Sequence, residues 1–397
     1  MNVPKIRFKG FEGEWKTALI GDIAPVAGGY AFLSNLFVLT GIPVVRISNI
    51  LESGIVGGEF ANYKMLKGDE SFRLYNGDAV IAMSGATTGK VAVVRNTQFM
   101  YQNQRVGKFT KTGKVDYGLL TVIVSSQKFR KDLVKLLTYS AQPNASSRDI
   151  DSIIEFIPNN RQEQKQIASY FTHLDSLISA STYRLASLKQ VKEASLQAMF
   201  PQEGETVPKV RFKGFEGEWK KVKLGEIAII NPKCELPDSF EYVDLESVSG
   251  TIMKSHRREN KVSAPSRAQR LAEKGDIFYQ TVRPYQKNNY YYQMENKDYV
   301  FSTGYAQIRA LKDALFLFTV IQSNQFLKQI MDNCTGTSFP AINPSSLRNL
   351  WVYDCDMQEQ QVIGKYFTAL DRRITLQTQR LEKLKQIKAA CLDKMFV

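Results

Sequence analysis

Ser84-Gly-Ala-Thr-Thr-Gly-Lys90 has the composition of a phosphate-binding loop. That loop needs glycine where Ser84 stands and Ser or Thr where Val91 stands, so nucleotide binding is not expected. What remains is a run of amides, hydroxyls and one ammonium able to donate to a nucleic-acid backbone or base edge. Pro237-Asp238 with Glu295-Asn-Lys297 supplies the residue types of a PD-ExK nuclease site. Their separation is long and the first half has no counterpart, so they read as surface residues. Cysteines stand at 234, 334, 355 and 391, none in a CxxC pair, and the only histidines are His173 and His256. No metal site is expected from such scattered ligands, and the cysteines read as reduced thiols. An amino-methyltransferase needs Asn/Asp-Pro-Pro-aromatic, but Asn231-Pro232 is followed by Lys233 and Asn343-Pro344 by Ser345. With no glycine-rich cofactor loop either, neither an enzyme nor a bound cofactor is expected.

Side chains that read DNA are more plentiful. Arg283, Gln286, Lys287, Asn288 and Asn289 are the types that pair with guanine and adenine edges, and Tyr285 adds an aromatic face. Thr281 stands just before them, and Arg267 and Arg270 lie upstream. The first half offers Gln102, Asn103, Gln104 and Arg105, with Arg46, Ser84, Thr87, Thr88 and Lys90. A further polar loop follows in each half. Ser140–Ser147 contributes Gln142, Asn144 and Ser146; Gly336–Pro344 contributes Ser338, with Pro143 matching Pro340 at offset 197. Ordinary solvated loops share this composition, so the residues are candidates only.

The charge agrees with a polyanionic partner. Residues 1–200 carry 24 basic and 16 acidic side chains, and residues 201–397 carry 29 and 23, so both halves are basic. No apolar run is long enough to cross a membrane, and the first residues lack the apolar core of a signal peptide. A soluble, cytoplasmic chain of two or three domains is expected.

The elements that must position these loops are written twice. Val3–Lys16 recurs as Val207–Lys220 with thirteen of fourteen residues identical. Gln162–Phe200 aligns without gaps on Gln358–Phe396 with 21 identities in 39 positions. The interiors, 25–140 and 229–335, share little beyond Gly-Asp at 77–78 and 275–276. Shared ends with divergent interiors point to one scaffold carrying two targets.

Residues 161–198 and 357–394 read as long helices. Leu174, Ile178, Leu185 and Leu188 match Leu370, Ile374, Leu381 and Leu384 as an a/d seam, interrupted by Ser181 and Gln377. A single apolar stripe on so long a helix needs a partner stripe, and the other copy would supply it as an antiparallel pair. The interiors read as mixed α/β, with short strands such as 44–47, 79–82, 91–94 and 277–280 and helices near 117–137 and 312–331.

The pattern resembles the DNA-specificity subunit of type I restriction-modification systems over nearly the whole chain. The resemblance is carried by Pro4-Lys-Ile-Arg-Phe…Phe11-Glu-Gly-Glu-Trp15 and its copy, Ala264-Pro-Ser-Arg-Ala-Gln-Arg270, Gly275-Asp…Thr281-Val-Arg-Pro284, Phe301-Ser-Thr-Gly-Tyr305, Gly85-Ala-Thr-Thr-Gly-Lys90 and both Gln-Glu-Gln helix starts. It implies an α+β chain with a pseudo-twofold internal repeat. Residues 1–158 and 201–355 would be target-recognition domains, and 159–200 and 356–397 helices of an antiparallel coiled coil. Each domain would read one half of a split, asymmetric double-stranded DNA site, and the helices would set the gap and dock two methyltransferase subunits. A motor-nuclease subunit would complete the complex, and S-adenosylmethionine, ATP and magnesium would belong to those partners. The alternative is a stand-alone duplicated DNA-binding regulator. One departure is that Pro158 precedes the first helix while 354–357 holds no proline.

Overall fold

The computed structural model describes residues 3–137 and 144–396. It divides into two units, residues 1–182 with 379–397 and residues 183–378. The division falls within both long helices, so each unit holds one end of each.

The interiors that share so little sequence share a topology. In unit 1 an antiparallel sheet runs in the order Val26–Ala27, Val106–Phe109, Ala79–Ala82, Val91–Val93. In unit 2 the same order is met by Ala228–Ile230, Tyr305–Ala310, Ile277–Gln280 and Tyr290–Tyr291. A second sheet in each unit has one parallel pair, Ile42–Val45 beside Met100–Gln102 and Ser239–Val243 beside Tyr299–Ser302. Strand alternation places Val80, Ala82 and Val106 in one core cluster and Ala79, Ile81 and Phe109 in another.

Gly-Asp turns start the two central strands for one reason. Gly77 and Gly275 take left-handed backbone angles, φ +87° and +95°. The following carboxylate accepts the amide three residues back, Tyr75 for Asp78 and Glu273 for Asp276. A cation from the central neighbouring segment pairs with each, Lys111 in unit 1 and Arg309 in unit 2.

The repeated chain ends meet each other. Arg7 holds Glu163 through two hydrogen bonds of 2.6 and 2.8 Å, and the Trp15 indole donates to the same carboxylate. Arg211, Trp219 and Glu359 repeat this in unit 2, with bonds of 2.7 and 2.7 Å from the guanidinium. Both carboxylates are fully buried. The remaining guanidinium donors bind the carbonyls of Glu12 and Gly13, or of Glu216 and Gly217, which fixes the Phe-Glu-Gly-Glu-Trp turn. The last glutamine of each Gln-Glu-Gln ties the helix start to the interior: Gln164 accepts from the Asp116 amide and Gln360 from the Asp313 amide. Asp116 and Asp313 in turn cap the helices Tyr117–Val124 and Ala314–Ile321. The near-identity of the repeats is thus the retention of one buried charged joint.

The long helices run Arg161–Ala198 and Met357–Met395. Without a proline, the second start uses Asp356, whose carboxylate accepts from the Gln358 amide as Asn160 accepts from Gln162. Within unit 1 the two helices are antiparallel: Tyr170 meets Cys391 at 3.5 Å and Asp175 meets Lys388 at 2.5 Å. Unit 2 repeats both contacts with Tyr366 and Ser195 at 3.0 Å and Asp371 and Lys192 at 2.6 Å. Leu174 and Ile178 therefore share a unit with Leu381 and Leu384, and Leu185 and Leu188 with Leu370 and Ile374. The four seam leucines 174, 185, 370 and 381 are buried, and Ser181 and Gln377 are buried in line with them. The other four seam positions are half-buried. Each helix end closes a core: Phe396 packs on Trp15 and Phe171, and Phe200 on Trp219 and Phe367.

Candidate nucleic-acid interface

Each unit displays a hairpin loop between the two strands that end its first sheet. In unit 1 this loop spans 83–90, and in unit 2 it spans 281–289. A second, polar segment is stitched to each loop by equivalent bonds. The Ala145 amide donates to the Met83 carbonyl at 2.8 Å, and the Ile342 amide to the Thr281 carbonyl at 3.1 Å. The turn before the central strand joins as well: the Met83 amide donates to the Arg105 carbonyl and the Thr281 amide to the Gly304 carbonyl, both at 2.9 Å. The two loops picked out in each half are therefore brought together by the fold, along with the turn carrying Arg105.

In unit 1, Gly85 and Gly89 are left-handed and let the loop fold back, with the Thr88 hydroxyl donating to the Gly85 carbonyl. The hydroxyls of Ser84 and Thr87 are shielded from solvent and meet no hydrogen-bond partner within the protein. Ile47 lies against Gly85, which places exposed Arg46 beside the loop. Gln104 and Arg105 are exposed and Asn103 is half-buried, its side chain accepting from the Arg105 amide. Lys90 is paired with Glu52 at 2.6 Å, and that hydrogen bond holds the Glu52 carboxyl below its usual range. Asn144 is exposed, whereas the Ser146 hydroxyl is engaged as the cap of the short helix Ser147–Asp151. Gln142 lies outside the described residues.

Unit 2 arms the equivalent loop differently. Arg283 and Lys287 both adopt left-handed angles, φ +53° each, which non-glycine residues seldom do. The Arg283 guanidinium lies 4.4 Å from the centroid of the Phe339 ring, a cation–π contact. Lys287 binds Asn324 at 2.6 Å and the Gln322 carbonyl, and burial pulls its ammonium below the ordinary lysine range. Gln286 accepts from the Gln280 amide group, and the Asn288 side chain accepts from the Gly250 amide. Tyr285, Ser338 and Arg267 are exposed. Arg270 is half-buried; its Nε meets no partner, and burial lowers its affinity for the proton.

Three selected side chains are corrected by this geometry. Gln102 is fully buried and donates to the carbonyls of Ala27 and Val106, joining two sheets. Asn289 is buried and accepts from the Gln280 amide, completing the hairpin. The Thr281 hydroxyl donates to the buried Gly304 carbonyl. Each side chain is buried and spent on the backbone, so none can face a groove. Sequence reasoning passed over Phe339 in the segment that supplied Ser338. An aromatic among Gly, Thr, Ser and Pro was the signal that could have found it. Among the described residues no cluster of His, Cys, Asp or Glu could hold a metal.

The family model described as type I restriction modification DNA specificity domain matches residues 12–190 and again 216–386. The chain belongs to that family. It is 28% identical over 194 residues to the type I restriction enzyme HindI specificity subunit of Haemophilus influenzae, covering 45% of this chain and 41% of that protein. It is 24% identical over 190 residues to the MjaVIII specificity subunit of Methanocaldococcus jannaschii, covering 45% and 44%. The matches thus span under half the length of these curated relatives. A crystal structure of a type I restriction-modification S subunit from M. genitalium has the same fold over the full chain: TM-score 0.67, 15% identity, 100% of this chain and 99% of that one. A chain from a structure of type I R-M complex assembly and conformational transition gives TM-score 0.51, 16% identity, and 96% and 97% coverage.

Proposed function

We propose that the chain is a non-catalytic specificity subunit whose two units each read one half of a split, asymmetric site in double-stranded DNA. The observation that carries this is the pair of stitched loops, placed identically in two units of one topology and furnished with different side chains. The basic charge of both halves supports a polyanionic partner. Sequence would be read by Arg105, Gln104 and the hydroxyl loop in unit 1, and by Arg283, Tyr285 and Gln286 in unit 2. Two methyltransferase subunits would dock on the long helices, whose length would set the gap between half-sites, and a motor-nuclease subunit would join them. S-adenosylmethionine, ATP and magnesium would be held by those partners, in the cytoplasm. No helix of the described residues is long and apolar enough to cross a membrane. The family match favours this over a stand-alone duplicated regulator.

The test is to exchange residues 17–155 for those of another family member and sequence the methylome of cells expressing the complex. One half of the methylated site should change while the other half and the gap stay. A change in both halves overturns the reading, as does methylation of labelled DNA by the purified chain alone.

A further inference from the structure

We infer that Phe339 and Arg283 act as one contact, pressing an apolar ring against a base step of the DNA half-site while the guanidinium serves its opposite face. This rests on the DNA-reading role of unit 2 proposed above.

Phe339 is 59% exposed and takes no part in the cores of its unit. Its exposure is built rather than accidental. Thr335 and Ala341 exchange two backbone hydrogen bonds of 2.9 Å, closing a short loop with Phe339 near its tip. Gly336 is left-handed, φ +86°, and a Cβ there would sit 3.2 Å from the Phe339 carbonyl. Pro340 fixes the backbone on the other side of the ring, and its carbonyl accepts from the Arg283 amide at 2.8 Å. Arg283 holds φ +53° and ψ +53°, a strained conformation that surrounding contacts must enforce. Its guanidinium lies over the ring, 4.4 Å from the centroid.

An exposed ring fits several partners, but the surroundings favour nucleic acid. Residues 281–289 and 335–342 carry Arg283 and Lys287 and no acidic side chain. A cation beside an aromatic face recognises a backbone together with a base, and apolar rings enter base steps and unstack them.

The assay uses the full chain assembled with its methyltransferase subunits and duplexes carrying the site found by methylome sequencing. 2-Aminopurine is placed at successive positions of the half-site read by unit 2. Wild type should raise its fluorescence at one step. Phe339→Ala should abolish that rise and weaken specific binding about tenfold, with an unchanged melting temperature because the ring lies outside the core. Phe339→Tyr should keep both properties. Arg283→Ala with Phe339→Ala should lose little more than either alone. Wild-type affinity and fluorescence in Phe339→Ala overturn the inference. So does weakened capture of the methyltransferase subunits with DNA binding intact, which would make the ring a protein contact. A wild-type complex that methylates no split site would instead refute the DNA-reading role itself.

Discussion

The hairpin loops 83–90 and 281–289 occupy the same place in two sheets of one topology, yet solve their local problem in opposite ways. The first gains its curvature from Gly85 and Gly89 and exposes little but small groups. The second forces Arg283 and Lys287 into left-handed backbone and anchors them on Phe339 and Asn324. The joints beneath are the reverse case, with Arg7–Glu163 and Arg211–Glu359 agreeing to within 0.1 Å in their hydrogen bonds. A joint that must hold two chain segments together admits one solution, whereas a loop that must fit a particular sequence admits many.

The strongest way to break this comparison is to remove the joints one at a time. Glu163→Ala strands the Arg7 guanidinium and the Trp15 indole, and Glu359→Ala strands Arg211 and Trp219. Loss of one partner from a buried pair costs about 3–5 kcal/mol. Hydrogen exchange read separately over each unit should show the loss confined to the unit that carries the substitution. Equal loss over both units would mean the joints do not belong to separate folding units.

The loops are tested next. Arg105→Ala and Arg283→Ala should each weaken specific binding by about 1–3 kcal/mol if the contact is bidentate to a base, and relax one base position. Competition with single-base-pair variants should place the two relaxed positions in different half-sites. If an arginine touches only phosphate, all sequences weaken alike and the salt slope falls by about 1. Wild-type affinity in both variants would move the recognition surface elsewhere.

A third contrast lies in the small sheets that pair Lys16–Leu19 with Ile154–Ile157 and Lys220–Lys223 with Trp351–Asp354. Glu155 stands opposite Ala18 in the small sheet of unit 1, where unit 2 has Val352 opposite Val222. Its side chain is almost wholly buried, and burial lifts its carboxyl to about 6 against the pull of Lys128 at 3.0 Å. The folded state therefore holds this proton where the unfolded chain has lost it. The stability it contributes is complete below about 4.5, falls as pH rises through about 6, and is flat beyond. The whole fall is about 2 kcal/mol, because folded and unfolded carboxyls titrate at different pH and each pH unit between them is worth about 1.4 kcal/mol. Glu155→Gln should flatten the pH profile of unit 1 between about pH 4.5 and 6 and leave unit 2 unchanged. A wild-type profile already flat across that range would place the titration elsewhere.

What could be read in advance follows the same division. The helix limits were legible because Arg161–Ala198 and the segment from Met357 carry an apolar stripe and no proline, a signal local to the chain. The shared topology of the interiors was not. It depends on pairings such as Ala79–Ala82 with Val106–Phe109, which any alternating β-rich run can make. Within the loops, residue type named groups able to bind DNA but could not tell a free side chain from one spent on the backbone. Gln102 and Asn289 fill carbonyl or amide vacancies that only the assembled sheets create. Phe339 escaped for the converse reason: aromatic residues are expected inside, and the closed loop holds this one out.

The smallest expected effect concerns the ion pairs along the helices. Lys192–Asp371 and Asp175–Lys388 occupy equivalent positions, but the first is the more enclosed, with side chains 18% and 25% exposed against 48% and 29%. Screening by water weakens the more open pair, and exposed pairs contribute about 0.2–1 kcal/mol. Double-mutant cycles with alanine should therefore give a coupling below about 1 kcal/mol in both units, larger for Lys192–Asp371, with the difference shrinking in high salt. Reversing the charges of a pair together should restore most of what either single reversal removes. Were the Asp175–Lys388 coupling the larger, enclosure would not be what ranks these contacts, and other charges near each pair would have to be weighed in turn.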